Sequence, residues 1–273
     1  MSSCALQFVL DSSLDQLPGI SRTKLIGMFW SFFDESGGAD HQFIAVCGWL
    51  AEREAWQSFE VEWKAMMERY GVPYFHMKEI AQFRGPFVKW YSKRDEREEF
   101  MKEAARLIRQ TVKMGVLVVV QYDAWRKLNL RYDLEKQWRS PYVLAGRFCI
   151  GRANSWVRTQ GGTERDVRYF FEDGGPDMPG LVALAKRDGL QIPAFHSGRD
   201  TEIEYGLIPL QAADFLAYEV RKVVVDHPDK FTRPEEFRKS FQAFFNCDVD
   251  QGNYGERELQ ELCEALKVPE RIA

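Results

Sequence analysis

The sequence predicts an α/β protein. Short apolar runs at 27–33 and 115–122 have the length and continuity of strands buried on both faces, 166–171 reads as a further strand, helical periodicity fills much of the chain between them, and two of the three strands end in a carboxylate pair followed by glycine.

Residues 27–33 (GMFWSFF) hold almost no polarity before Asp34 and Glu35 arrive together and the chain breaks at Gly37 and Gly38. Such an edge of a central strand is where sites on open α/β sheets form, although an acidic turn without function has the same composition. Residues 41–50 follow closely enough to pair antiparallel with the first strand. Trp56, Phe59, Trp63, Met67 and Tyr70 recur at helical spacing within 52–70, which is a core stripe and not a stacking platform for bases. Residues 73–80 (PYFHMKEI) read as a short extended piece carrying His76, Lys78 and Glu79. His76 has no HxxxH or HExxH partner, so a structural histidine is the plainer alternative.

A loop over 83–91 leads to a charged helix over 93–113. Lys102, Arg106, Arg109 and Lys113 share one of its faces, with Glu98, Glu99 and Glu103 close by, the pattern of a solvated surface. The valine-rich run at 115–122 is the strongest strand and is followed by Asp123. Residues 132–160 are mainly helix, with Arg147, Asn154 and Arg158 along one side, open to a polyanion or to solvent. The strand at 166–171 delivers Glu172 and Asp173 into Gly174, Gly175 and Pro176. A short helix at 178–188, an extended piece at 192–196 and a polar loop at 197–205 come next.

Pro209 suits the first turn of a helix that runs to 225 and is apolar nearly all round. Gln211, Asp214 and Tyr218 fall on one line of it. A carboxylate among the neighbours of Asp214 costs several kcal/mol unless it is hydrogen-bonded, paired or bound to a metal. A buried network with Trp, Tyr or Arg would satisfy it, and so would a cation. The remainder reads as two helices, 234–245 and 256–267, around a turn at 246–255 whose acidic DVDQGNYGE lacks the oxygen spacing of an EF-hand.

With 273 residues, 45% of them hydrophobic, the chain suffices for one large domain. Its net charge of -4 supplies no global basic field for nucleic acid, so any such contact must come from a local patch. Five scattered cysteines show no zinc spacing and suit buried thiols of a reducing cytosol. Neither an export signal nor an apolar stretch of about 18 residues is present, so a cytoplasmic protein without a membrane span is expected. The sequence contains no Walker loop, GxGxxG or GxSxG, and this removes many enzyme classes.

Carboxylates from separated segments, without a cysteine or histidine cluster, suit a hard oxygen-seeking cation, Mg2+ or Mn2+. The motifs FFDESGG at 32–38, FHMKEI at 75–80, YFFEDGG at 169–175 and PLQAADFLAYE at 209–219 together resemble a large bacterial family of uncharacterised proteins. That family is grouped with the ribonuclease-H-like (retroviral integrase) superfamily, and the likeness spans 28–225. It implies a ribonuclease-H-like mixed sheet of about five strands flanked by helices, with helical insertions. The domain covers 25–226, between an irregular lead-in at 1–24 and a C-terminal helical tail at 227–273.

The likeness also implies a cation site in which Asp34 is the acid of the first strand and Asp214 that of the final helix. For the middle acid the motif points to Glu172 and Asp173, whereas counting towards a fourth strand could select Asp123. Glu35, His76 and Glu79 join as further site residues, and Lys78, Arg84 and the basic helix stripe as phosphate contacts. The activity expected is a metal-dependent nuclease or phosphodiesterase acting on RNA or DNA. The alternatives are a hydrolase of a small phosphorylated substrate and a non-catalytic subunit of a defence or mobile-element system whose acids are structural. Nucleic acid, a protein partner and a second copy of the chain stay open as partners.

Overall fold

The computed structural model describes residues 29–199, 207–226 and 238–271. The lead-in at 1–24, most of the polar loop and the start of the tail lie outside them. The described strands are β1 (Phe29–Gly38), β2 (Phe43–Glu52), β3 (Met114–Gln121), β4 (Val167–Glu172), β5 (Ala194–His196) and β6 (Val249–Tyr254). Between and after them come α1 (Arg53–Tyr70), α2 (Met77–Gln82), α3 (Arg94–Thr111), α4 (Tyr122–Arg131), α5 (Leu134–Trp138), α6 (Pro141–Thr159), α7 (Met178–Arg187), α8 (Ile208–Asp226), α9 (Lys239–Gln242) and α10 (Glu256–Ala265).

The six strands form one mixed sheet in the order β5-β4-β1-β2-β3-β6. β2 runs antiparallel to both neighbours, while β1 with β4, β4 with β5 and β3 with β6 are parallel. Helices cover both faces. Trp30, Phe32, Trp49, Val119 and Phe170 pack beneath α1, α3 and α8, and Phe33, Val46, Val118 and Phe171 face α4, α6 and α7. Both sides of the central strands are therefore dry, which is why their sequences are apolar runs without polar alternation. The close approach of β1 and β2 depends on Gly48, where a Cβ would lie 1.9 Å from the Phe32 carbonyl oxygen.

Three expectations need correction. The stretch expected to be extended at 73–80 turns helical at Met77, with the Ile80 N–H donating to the His76 carbonyl at 3.0 Å. Burial of Met77 and Ile80 against the core outweighs the weak propensity of so short a helix. The loop at 83–91 holds a 3₁₀ segment, Gly85–Tyr91, anchored by buried Phe87 and Trp90.

The tail is not purely helical. The expected turn at 246–255 contains β6, which pairs with β3 from Gly115 opposite Val249 to Val120 opposite Tyr254. Its polar sequence suits an edge position, and Arg152 of α6 clamps it through Asp250. Of the helix expected at 234–245, residues 239–242 are helical and 234–237 lie outside the described residues.

Cys47, Cys149 and Cys263 are buried free thiols and Cys247 is partly buried. Among the described residues no helix is long and apolar enough to cross a membrane.

Candidate functional site

Strand alternation sorts the acids into two sets. Trp30 and Phe32 face α8, whereas Phe29 and Phe33 face α6, so Asp34 continues the first series and Glu35 the second. β4 runs in register with β1, Phe32 opposite Phe170 and Phe33 opposite Phe171. Glu172 consequently falls beside Asp34, and Asp173 beside Glu35. Parallel pairing stops at Phe33, so both acid pairs stand where β1 and β4 part while β1 continues along β2. Asp214 enters from α8 on the Asp34 side.

These groups line one cavity of about 580 Å³, together with His76, Lys78 and Arg199. The Asp34 carboxyl is held well above its usual range, first by burial and then by repulsion from Asp214, Glu35 and Glu172; the Glu35 N–H, donating to Oδ1 at 2.8 Å, opposes this. Burial, followed by Asp214's neighbour Glu172, pushes Asp214 itself up to about 7 against the hydrogen bond from the Met77 N–H, which reaches Oδ2 at 2.6 Å. Glu35 is pushed to about 7 by burial and by Glu172. Glu172 is raised by burial as well, although the Gly198 N–H donates to Oε2 at 2.9 Å and the Ser197 hydroxyl to Oε1 at 3.1 Å. Among the described residues no lysine or arginine forms an ion pair with Asp34, Glu35, Glu172 or Asp214. Asp173 is exposed and receives the Gly174 N–H at 2.9 Å.

The segment before α2 supplies a second constellation. His76 Nδ1 lies 3.1 Å from Glu79 Oε1, and the Tyr74 hydroxyl donates to Glu79 Oε2 at 2.7 Å. Glu79, despite the upward push of burial, is held low by these partners, and the Tyr74 phenol is pushed up to about 12 by burial and by Glu79. With Glu79 accepting from Nδ1, Nε2 is left as the basic nitrogen of the ring. Burial and the nearby Arg199 lower the pKa of His76, which favours the neutral imidazole, against the opposing pull of Glu79. Arg199 Nη1 stands 3.5 Å from Glu79 Oε1 and 3.4 Å from His76 Nδ1.

Gln211, one turn before Asp214, holds these pieces together. Its Oε1 accepts from Trp63 Nε1 at 2.9 Å and from the Phe75 N–H at 3.0 Å, and its Nε2 donates to the Gly198 carbonyl at 2.8 Å. One buried amide thus ties α1, the His76 segment and the Glu172-binding loop to α8. On the opposite face, the Tyr142 hydroxyl at the start of α6 is buried without a hydrogen-bond partner among the described residues, close enough to Glu35 and Asp34 for both to raise its pKa beyond the effect of burial.

Not every expected residue joins the site. Asp123 starts α4, 76% exposed, beside Arg126, and does not line the cavity. Glu172, at the end of β4, lines it. Arg84 is exposed and does not line the cavity. In the basic stripe expected over 93–113, Lys102 and Arg106 of α3 pair with Glu98 and Glu99 and with Glu103, and Lys113, just past its end, pairs with Glu52. Arg147 pairs with Asp188 and Arg158 with Glu164, while Asn154 is buried against the Tyr169 hydroxyl. The bridging role of Gln211 and the positions of Tyr74 and Arg199 had no signal in the sequence beyond polar residues near the motifs.

Among the described residues no group of three or more His, Cys, Asp or Glu side chains is arranged, as it stands, to hold a metal ion. Compared with protein-family models, with curated proteins and with solved structures, the chain matches none.

Proposed function

We propose that the protein is a metal-dependent phosphodiester hydrolase, a nuclease of ribonuclease-H-like architecture acting on RNA or DNA. The observation that carries this reading is the meeting of Asp34, Glu172 and Asp214 from β1, β4 and α8 in one cavity at the edge where β1 and β4 part, where they raise one another's affinity for positive charge. The donor set is oxygen only, and among the described residues no base forms an ion pair with it, although Arg199 in the same cavity offsets part of the charge of Glu172 and Asp214; such a set suits Mg2+ or Mn2+. When bound, such a cation stabilises the attacking and leaving oxygens of a phosphodiester displacement. The single antiparallel strand within an otherwise parallel sheet, and acids on the first strand, the fourth strand and the last long helix, support the finer fold assignment.

Asp34, Glu172 and Asp214 hold the charge, with Glu35 and Asp173 on the other side of the same edge. His76 Nε2, its ring fixed by Glu79, moves a proton to or from the reacting oxygen. Lys78, exposed on the cavity wall, meets a phosphate. A cavity of about 580 Å³ is also the size of a small-ligand site, which favours a small phosphorylated substrate as the second reading.

A cation that binds only the folded state raises its melting temperature. Magnesium or manganese is expected to stabilise the parent and not Asp34→Asn. Cleavage of single-stranded, duplex or hybrid nucleic acid then identifies the substrate, and cleavage of small phosphodiesters alone selects the second reading. Absence of any stabilisation by either ion refutes both.

A further inference from the structure

The cavity wall beyond Asp214 carries a cation that the acids do not use. Arg221 follows Asp214 by seven residues on α8, hence on the same face and about 10 Å further along the axis. Its guanidinium carbon lies 4.9 Å from the Tyr218 ring centroid, and Nη1 lies 3.4 Å from His41 Nε2. Tyr218 is only 8% exposed, so the ring is a fixed platform. Arg221, Tyr218 and His41 line the same cavity as Asp34 and Asp214. Among the described residues, however, no carboxylate pairs with Arg221, whereas Arg199 across the cavity is engaged with Glu79. A guanidinium held by a ring and an imidazole in an acid-rich cavity keeps its remaining donors for an anion from outside.

We infer that Arg221, assisted by His41, is a phosphate-binding subsite flanking the carboxylate cluster. It takes a phosphate group of the substrate away from the bond that reacts. This rests on the hydrolase reading above and deepens it: a substrate that reaches both the acids and Arg221 bears a second phosphate, as an extended single strand of nucleic acid does. A small molecule with two phosphate groups offers the same chemistry, and the experiment separates the two.

Binding of a labelled oligothymidylate and of inorganic pyrophosphate is measured over a salt series with a chelator present, so that no probe is cleaved. The protein is the 273-residue chain, compared with its Arg221→Gln, Arg221→Lys and His41→Gln variants. Arg221→Gln is expected to weaken oligonucleotide binding about tenfold and to lower the slope of log affinity against log salt by about 0.7. Arg221→Lys keeps the slope, and His41→Gln, at an exposed position, loses part of the affinity. Loss of pyrophosphate binding alone supports the subsite and assigns it to a small substrate, which removes the nuclease. Equal binding of both probes with and without Arg221, or binding of neither probe by the unsubstituted chain, overturns the subsite. The hydrolase reading fails separately, through the absence of metal stabilisation in the unsubstituted protein.

Discussion

Replacing Asp214 with asparagine is expected to stabilise the metal-free protein, and to do so only at higher pH. Burial and Glu172 raise the folded-state pKa of Asp214 from 3.8 to about 7, so between those values the folded state holds more protons than the unfolded one. The stability this group contributes is complete below the lower value and is lost as pH rises through the upper one. Three pH units at ~1.4 kcal/mol each amount to about 4 kcal/mol, and water at the partly open edge reduces this to about 2–3 kcal/mol. Asparagine carries no charge, and its carbonyl still accepts from the Met77 N–H. In urea unfolding with a chelator at about pH 8, Asp214→Asn should therefore exceed the parent by about 2–3 kcal/mol, and at about pH 5 by less than half of that. Manganese should reverse the order at the higher pH. A variant less stable than the parent at about pH 8 without metal, or a difference that does not change with pH, would refute the electrostatic account.

Four further outcomes are expected. Gln211→Leu strands the Trp63 indole N–H, the Phe75 N–H and the Gly198 carbonyl at about 1 kcal/mol or more each, and a thermal melt should show a drop of roughly 6–12 °C. Tyr142→Phe removes a buried hydroxyl without a partner among the described residues, so the metal-free protein should gain about 1 kcal/mol in denaturant unfolding. Glu79→Gln weakens the hold on His76 and should lower kcat roughly 10- to 100-fold, while the metal-induced shift in melting temperature stays as in the parent. Lys78→Gln should raise KM for the substrate identified by the cleavage panel, and Arg84→Gln, outside the cavity, should leave both constants as they are.

The elements readable from sequence were those whose burial is two-sided. β1, β3, β4 and α8 announce themselves because dry surroundings on both faces exclude polar residues, so an acid at 34, 172 or 214 stands out against its neighbours. β6 was hidden because Asp250, Gln251 and Asn253 give an edge strand no apolar signature; the open edge of β3 and the clamp from Arg152 hold it. α2 was hidden because only six residues are helical, and tertiary contacts at Met77 and Ile80 supply its stability. The candidate acids could be found at strand ends, but the division of Asp34 and Glu172 from Glu35 and Asp173 needed the register of β1 against β4. Gln211 was visible only as a polar residue on the Asp214 line, since its three partners lie 148, 136 and 13 residues away.

The two-residue repeat of β1 places a parity rule on the chain. Losing or gaining one residue between Trp30 and Asp34 would exchange the roles of the neighbouring acids, aiming residue 35 at α8 and turning residue 34 towards α6. Changes of two would keep the orientation but move the charge along the sheet, away from Asp214. Homologues that share this chemistry should therefore vary in length after Gly38, in the hairpin, and never inside the strand before it.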